Sequence, residues 1–202
     1  MGNSLNLIEN IVVVMLENRS FDQMLGTLYP NSSQFEGLKL DGSMSNCWDG
    51  TDFPVTNTPS GNPFTTPTPD PGESFPDMNL QIFNTTDPTD ADKANMAGFV
   101  NDWMAGVKNQ YPKIPTGRGC WWLPIDWPNL PRVQPKTKTT KEKKAVPCDI
   151  MFYFTPSQLG VSSLLARSFG VSDAWFGSCP TQTYPNRFFV NCGTSGGYVE
   201  DV

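Results

Sequence analysis

Histidine is absent from all 202 residues. That absence removes a Ser-His-Asp or Cys-His nucleophile system from this chain and histidine-ligated zinc. It also removes the side chain most used as a general base near neutral pH. A hydrolase built from these residues needs another way to activate a hydroxyl. A cation bound to that hydroxyl would supply one, because coordination lowers the pKa of the oxygen by several units. Cysteine is sparse. The five, at positions 47, 120, 148, 179 and 192, are odd in number and show no CxxC spacing, which excludes an ordinary Cys₄ zinc pattern. One or two disulfides and five reduced thiols are both compatible with the sequence. No run of eighteen apolar residues occurs, so no membrane-spanning helix is expected. The chain does not open on a basic stretch followed by an apolar one, so no secretory signal is visible. A cytoplasmic protein is the expectation for the sequence as given, and exported relatives are compatible with it.

What is present suits a folded domain. The chain is 38% hydrophobic and 12% aromatic, enough to bury a core. Nineteen prolines and seventeen glycines imply many turns and long irregular connections. The net charge is −6. Within 132–144, Arg132, Lys136, Lys138, Lys141, Lys143 and Lys144 stand against Glu142 alone, a local charge of +5 that leaves −11 on the remainder. An acidic body does not steer anions by its overall field, so any phosphate-binding power must be local, from a metal or from backbone amides. The lysine cluster reads as a solvated loop. No nucleic-acid partner is expected.

The apolar run Ile11-Val12-Val13-Val14-Met15-Leu16 reads as part of a strand over 8–16, buried on both faces. It ends at Glu17 and Asn18. Ser20 with Gln23 three residues on has the spacing of a capping box, and predicts a helix over 21–28. Residues 30–90 read mostly as loop. Met96, Phe99, Val100 and Trp103 fall at helical spacing, predicting a helix over 91–106. Residues 108–149 are again irregular and hold Trp121, Trp122 and Trp127, which are expected to pack beneath the loop. Thr155-Pro156-Ser157-Gln158 is a second capping box, with Pro at the first helical position. The helix it opens carries Leu159, Leu164 and Leu165 and stops near Gly170. A strand over 170–176 follows, then a loop and a last helix.

Two places carry chemistry. A buried strand that delivers Glu17 and Asn18 to its C-terminal end puts two hard oxygen ligands where open α/β sheets bind ligands, a pairing that suits a divalent cation. By spacing alone it is equally a polar turn after a core strand. Thr183 stands where an N-cap would, with Pro185 in the first turn. Amides at a helix start and the helix dipole both favour an anion. A phosphate held there would lie beside the Thr183 hydroxyl, with Asn186 and Arg187 available to hold it. Read without a ligand, Thr183 is only a cap.

The stretches VVVMLENRSFDQML near the start and DAWFGSCPTQTYPNRFFVNCGTSGG near the end resemble the bacterial phosphoesterase family, which holds phospholipase C and acid phosphatase-like enzymes. PDPGESF at 69–75, MAGFVNDW at 96–103 and IMFYFTPSQLGVSSLLARSFGVSD at 150–173 match between them, in the family's order. The resemblance implies an α/β fold, an alkaline-phosphatase-like sheet sandwiched by helices. The chain would be its incomplete, N-terminal part, a single portion over 1–202 with long loops at about 30–90 and 108–149. It implies metal-assisted hydrolysis of a phosphate mono- or diester, phospholipid included, with Thr183 as nucleophile and metal ligand. Glu17 and Asn18 would bind the divalent metal ion, and Asn186 and Arg187 the substrate. Where the family often has histidine after the SFD tripeptide this chain has Gln23, and before the GTS stretch it has Asn191. The family's downstream half adds an acidic pair to the metal site and histidines to the phosphate pocket, and this sequence shows no acidic cluster to replace them. The alternative is a truncated or catalytically silent member acting as a binding module.

Overall fold

A computed structural model of the chain describes residues 7–17, 19–30, 32–59, 67, 70–110 and 146–201. Among the described residues, five α-helices and four short strands order themselves as α1 (Phe21–Leu25), β1 (Ser45–Trp48), β2 (Thr51–Pro54), β3 (Thr56–Asn57), α2 (Phe75–Phe83), α3 (Phe99–Gln110), β4 (Phe152–Tyr153), α4 (Gly160–Ser168) and α5 (Thr183–Cys192). A 3₁₀ turn over Pro147–Met151 leads directly into β4. The class is mixed α/β, with two two-stranded sheets. Strands β1 and β2 pair antiparallel, and β3 and β4 pair parallel. The helix-sandwiched, alkaline-phosphatase-like sheet is not formed among the described residues.

The core is built on one face of α3. Val100, Trp103, Met104 and Val107 are fully buried at spacings of three and four, against Phe53 of β2 and Cys148 and Met151 of the 3₁₀ turn. The helix expected over 91–106 therefore starts eight residues later, and its buried stripe moves one turn onward. The cause is visible at its start. Met96 has φ +53°, outside the helical region. The amides of Asn95 and Met96 both donate to Ile82 O of α2, and Gly98 N donates to Gln81 O. A Cβ at Gly98 would meet Leu80 O at 1.7 Å, so only glycine lets the chain run this close to α2 before turning into α3.

The stretch 30–90 is less irregular than its composition predicts. Asp49 and Gly50 both take positive φ and join Trp48 to Thr51 in a two-residue hairpin, the turn that Asp-Gly favours. Ser74 caps α2 with the expected reciprocity. Its Oγ accepts from Asp77 N while Asp77 Oδ2 accepts from Ser74 N. Gln81 Nε2 donates to Asp102 Oδ2 at 2.7 Å and to Gly72 O at 2.8 Å, tying α2, α3 and the 69–75 motif together. Burial pushes the Asp102 carboxyl above its ordinary pKa.

Two expected strands are not strands. Residues 8–16 form no ladder among the described residues, and Ile11, Val12, Val13, Val14 and Leu16 are 73–87% exposed. Residues 170–176 are likewise unpaired, with Trp175 and Phe176 exposed. An apolar strand is stable only when neighbours satisfy its backbone and cover its faces, and the described residues supply no such neighbours. Helix α1 stops at Leu25 rather than residue 28. The second capping box forms only in part. Gln158 Oε1 accepts from Thr155 N at 2.8 Å, but Leu159 leaves helical geometry and α4 begins at Gly160. Among the described residues no helix is long and apolar enough to cross a membrane.

Candidate active site

The site is assembled from the end of the 8–17 segment, the 70–74 loop, the start of α5 and the 194–201 segment. Ser20 Oγ accepts from Gln23 N at 3.1 Å, the cap the sequence indicates. Helix α1 is then pinned from its other side. Phe154 N donates to Gln23 O, Gln23 Nε2 to Phe152 O, and Thr27 Oγ1 to Phe154 O. Gln23, which stands where the family often has histidine, thus holds α1 against β4. These bonds fix the chain at Gln23, five residues after Asn18, which itself lies outside the described residues.

Glu17 reaches α5. Arg187 Nη2 donates to Glu17 Oε2 at 3.0 Å. The structure therefore brings together two of the residues singled out from the sequence. Thr183 is the first residue of α5, not its N-cap. Gln182 holds the cap position without a side-chain bond to the helix amides. The donor at the second helical position, Tyr184 N, is instead taken by Asp201 Oδ1 at 2.8 Å, and Asp201 N donates to Gln182 Oε1 at 2.7 Å. Thr181 Oγ1 also donates to Val199 O. A carboxylate of this chain thus sits at the helix start, the place where the dipole and the first amides favour an anion.

Asn186 faces inward to the loop before α5. Its Oδ1 accepts from Cys179 N, and its Nδ2 lies within bonding distance of the carbonyls of Cys179, Thr181 and Gln182. The carboxamide organises residues 179–182 and thereby sets the position of Thr183. Asn191, on the last turn of α5, donates to Arg187 O.

The sequence reading missed Glu73. The pairing of Gly72 with buried Asp102 and Asp77 leaves no room for a Cβ at position 72, which would lie 2.6 Å from Asp77 Cγ and 2.7 Å from Asp102 Oδ1. Glu73 follows directly, with its side chain exposed. Partial desolvation pushes its carboxyl above the ordinary range, and repulsion from Asp70, Asp201 and Glu17 adds to the effect. Glu73 therefore lies in the field of Asp70, Asp201 and Glu17. Asp70 is local to Glu73, but no spacing announces Glu17 and Asp201, which the fold brings near it. Among the described residues, however, no group of three or more His, Cys, Asp or Glu side chains is gathered closely enough to hold a metal ion.

Cys47, Cys179 and Cys192 carry free thiols. The lysine cluster of 132–144, Cys120 and the tryptophans at 121, 122 and 127 lie outside the described residues.

A family model described as the phosphoesterase family matches residues 8–201. Non-specific phospholipase C1 of Arabidopsis thaliana is 31% identical over 195 residues, covering 96% of this chain and 29% of that protein. Non-specific phospholipase C3 of the same plant is 29% identical over 198 residues, 97% of this chain and 31% of the relative. Phospholipase C B of Mycobacterium tuberculosis (strain ATCC 25618 / H37Rv) is 29% identical over 205 residues, 95% and 32% respectively. The chain thus spans about a third or less of the length of these curated relatives. With a match that runs from the 8–16 segment through Glu17, the 69–75 motif and Thr183 to Asp201, this chain belongs to the phosphoesterase family.

Proposed function

We propose that this chain carries the nucleophile half of a phosphoesterase site that hydrolyses phosphate esters, phospholipids among them. The reading rests on one observation above the others. Arg187, four residues after Thr183 on α5, is ion-paired to Glu17, so the two motifs that carry the family resemblance meet in space. The names of the relatives, phospholipases C from a plant and a bacterium, favour a phosphodiester of lipid type.

In this reading the substrate phosphate lies at the start of α5, held by the first amides and the helix dipole. Arg187 offsets its charge. The Thr183 hydroxyl attacks phosphorus and forms a phospho-threonine while the alcohol departs; water then cleaves the phosphoester and restores the hydroxyl. Glu17 and Asn18 are proposed as hard-oxygen ligands of a divalent cation, with Thr183 as a third. Bound there, the cation would lower the pKa of the Thr183 hydroxyl. The donor chemistry suits such an ion, but the described residues do not complete a cage around it. An alkaline-phosphatase-like sheet, continued beyond the described strands, is the fold that would seat Glu17 beside Thr183.

The test is turnover of a chromogenic phosphate ester, with and without added divalent metal, by the chain and by its Thr183→Ala variant. Metal-dependent turnover that disappears with Thr183→Ala supports the proposal. Turnover unaffected by the substitution removes Thr183 from the chemistry, and no turnover with undiminished phosphate binding favours a silent binding module.

A further inference from the structure

Ser163 Oγ is buried and has no hydrogen-bond partner among the described residues. The residue is only 4% exposed, and a buried hydroxyl left unpaired is costly. Ser163 lines a groove of about 470 Å³ together with Pro156, Ser157, Gly160, Leu164 and Arg167. Gly160, Ser163, Leu164 and Arg167 are spaced by three and four residues, so they share one face of α4. Arg167 is held in place. Its Nη2 donates to Leu28 O at 3.0 Å, and its guanidinium carbon lies 5.9 Å from the centre of the Tyr29 ring. That bond uses one N–H of a guanidinium that carries several. Among the described residues no carboxylate pairs with it. The start of α4 has the same sign. Leu159 stands at the cap position with no side-chain bond, so the first amides and the positive end of the helix dipole are uncompensated.

We infer that this groove binds a phosphate group, held between the Arg167 guanidinium and the Ser163 hydroxyl, with the uncapped start of α4 adding a favourable field. Hydrogen-bond donors and positive charge converge there, and no acidic side chain lines the groove, so its ligand is an anion with several acceptor oxygens. The planar fork of arginine suits phosphate in particular. The space exceeds a bare oxyanion, and Pro156 and Leu164 give it an apolar wall. A phosphate ester with a short carbon group fits both properties, whether it is a soluble molecule or the headgroup of a lipid. The chain is acidic overall and does not gather anions by its general field, so a phosphate retained here is retained by these local groups. The groove shares no residue with the start of α5 and does not depend on the role of Thr183.

The test follows the NMR signals of residues 160–167 in the 202-residue chain. The probes are inorganic phosphate, glycerol 3-phosphate, and phosphatidylcholine vesicles with and without phosphatidic acid. Saturable shifts at these residues are expected. Arg167→Gln should weaken binding by about 10–100-fold. Ser163→Ala should weaken it by about tenfold while the melting temperature holds or rises, because alanine removes the unpaired hydroxyl and suits a helix. The Ser163 variant carries the test if loss of the Leu28 bond unfolds Arg167→Gln. Saturation by the two soluble phosphates supports the site and assigns it a soluble ligand. A response confined to vesicles containing phosphatidic acid supports it and assigns a lipid headgroup. No response to any probe overturns the inference, as do equal shifts with sodium acetate at matched ionic strength. Undiminished binding in Ser163→Ala also overturns it. None of these readouts depends on turnover.

Discussion

Arg187 Nη2 lies 3.0 Å from Glu17 Oε2, across 170 residues of sequence. Both side chains are well exposed, 36% and 47%, so as a stability element the pair contributes little, about 0–1 kcal/mol. Its value is positional. Glu17→Gln keeps the shape and removes the charge. Thermal unfolding should therefore shift only slightly, whereas metal affinity and any metal-dependent hydrolysis should fall on the order of 10–100-fold or more, as for other lost metal-site contacts. Calorimetric metal titration beside a melting curve separates the two. Unchanged metal affinity in the variant would take Glu17 out of the metal site.

Thr183→Ala should abolish turnover with little structural cost. Because Thr183 is the first helical residue and Gln182 holds the cap position, the loss should be smaller than the roughly 1 kcal/mol of a removed cap. Thr183→Ser keeps the hydroxyl and should keep activity. Mass spectrometry of quenched reactions locates the phosphorylated peptide. A phosphate mapped to another residue would count against Thr183.

Asp201 holds the helix-start amide that the proposed substrate phosphate needs. Asp201→Asn removes the competing charge and its repulsion of Glu73. Inorganic phosphate should then bind more tightly, by a few-fold to tenfold, with the greater gain at low ionic strength, where charge interactions are least screened. Weaker phosphate binding in the variant would show that the Asp201 carboxylate supports the anion site rather than filling it.

Asp102 gives a pH test with a definite sign. Its carboxyl is buried and its pKa is raised in the folded protein. Such a group favours the folded state most when protonated, below its unfolded pKa of about 3.9. That contribution is lost as pH rises through the higher folded value. Asp102→Asn cannot ionise. Urea unfolding of the two proteins should show wild type losing stability relative to the variant as pH climbs out of the carboxyl range, with no further divergence near neutrality. A gap that instead widened in favour of wild type would mean that ionised Asp102 is stabilised by the Gln81 bond more than burial opposes it.

These sites were legible to different degrees. The caps at Ser20 and Ser74 depend on residues three apart, and such contacts can be read along the chain. The Asp49-Gly50 hairpin is equally local, and the dipeptide is its signal, set within a stretch otherwise rich in Pro, Thr and Asn. The start of α3 was not legible. It depends on how closely Gly98 passes Leu80 O, a tertiary fact. The apolar run at 11–16 has the composition of a strand, but a strand is made by its neighbours, and none of the described residues pairs with it. The nearness of Glu17 and Asp201 to Glu73 arises from folding, whereas Asp70 is its neighbour in sequence. Motif resemblance singled out Glu17, Thr183 and Arg187 because they stand within the two end stretches that carry it. It could not say that Asn186 would spend its carboxamide on the loop before Thr183.

That last point can be tested directly. Asn186 accepts from Cys179 N and donates toward three carbonyls between residues 179 and 182. A side chain that only bound substrate would leave this loop unchanged when removed. Asn186→Ala should instead free several backbone groups and destabilise the region by about 1–3 kcal/mol. Hydrogen exchange at 179–182 should speed up without ligand present. Asn186→Asp should be worse than Ala, since a carboxylate brings charge against the same carbonyls and donates nothing. Loss of phosphate binding would follow from a displaced Thr183 and helix start, and would track the loosened loop across the variants. A variant with native exchange at 179–182 but weakened phosphate binding would return Asn186 to a direct role in holding the substrate.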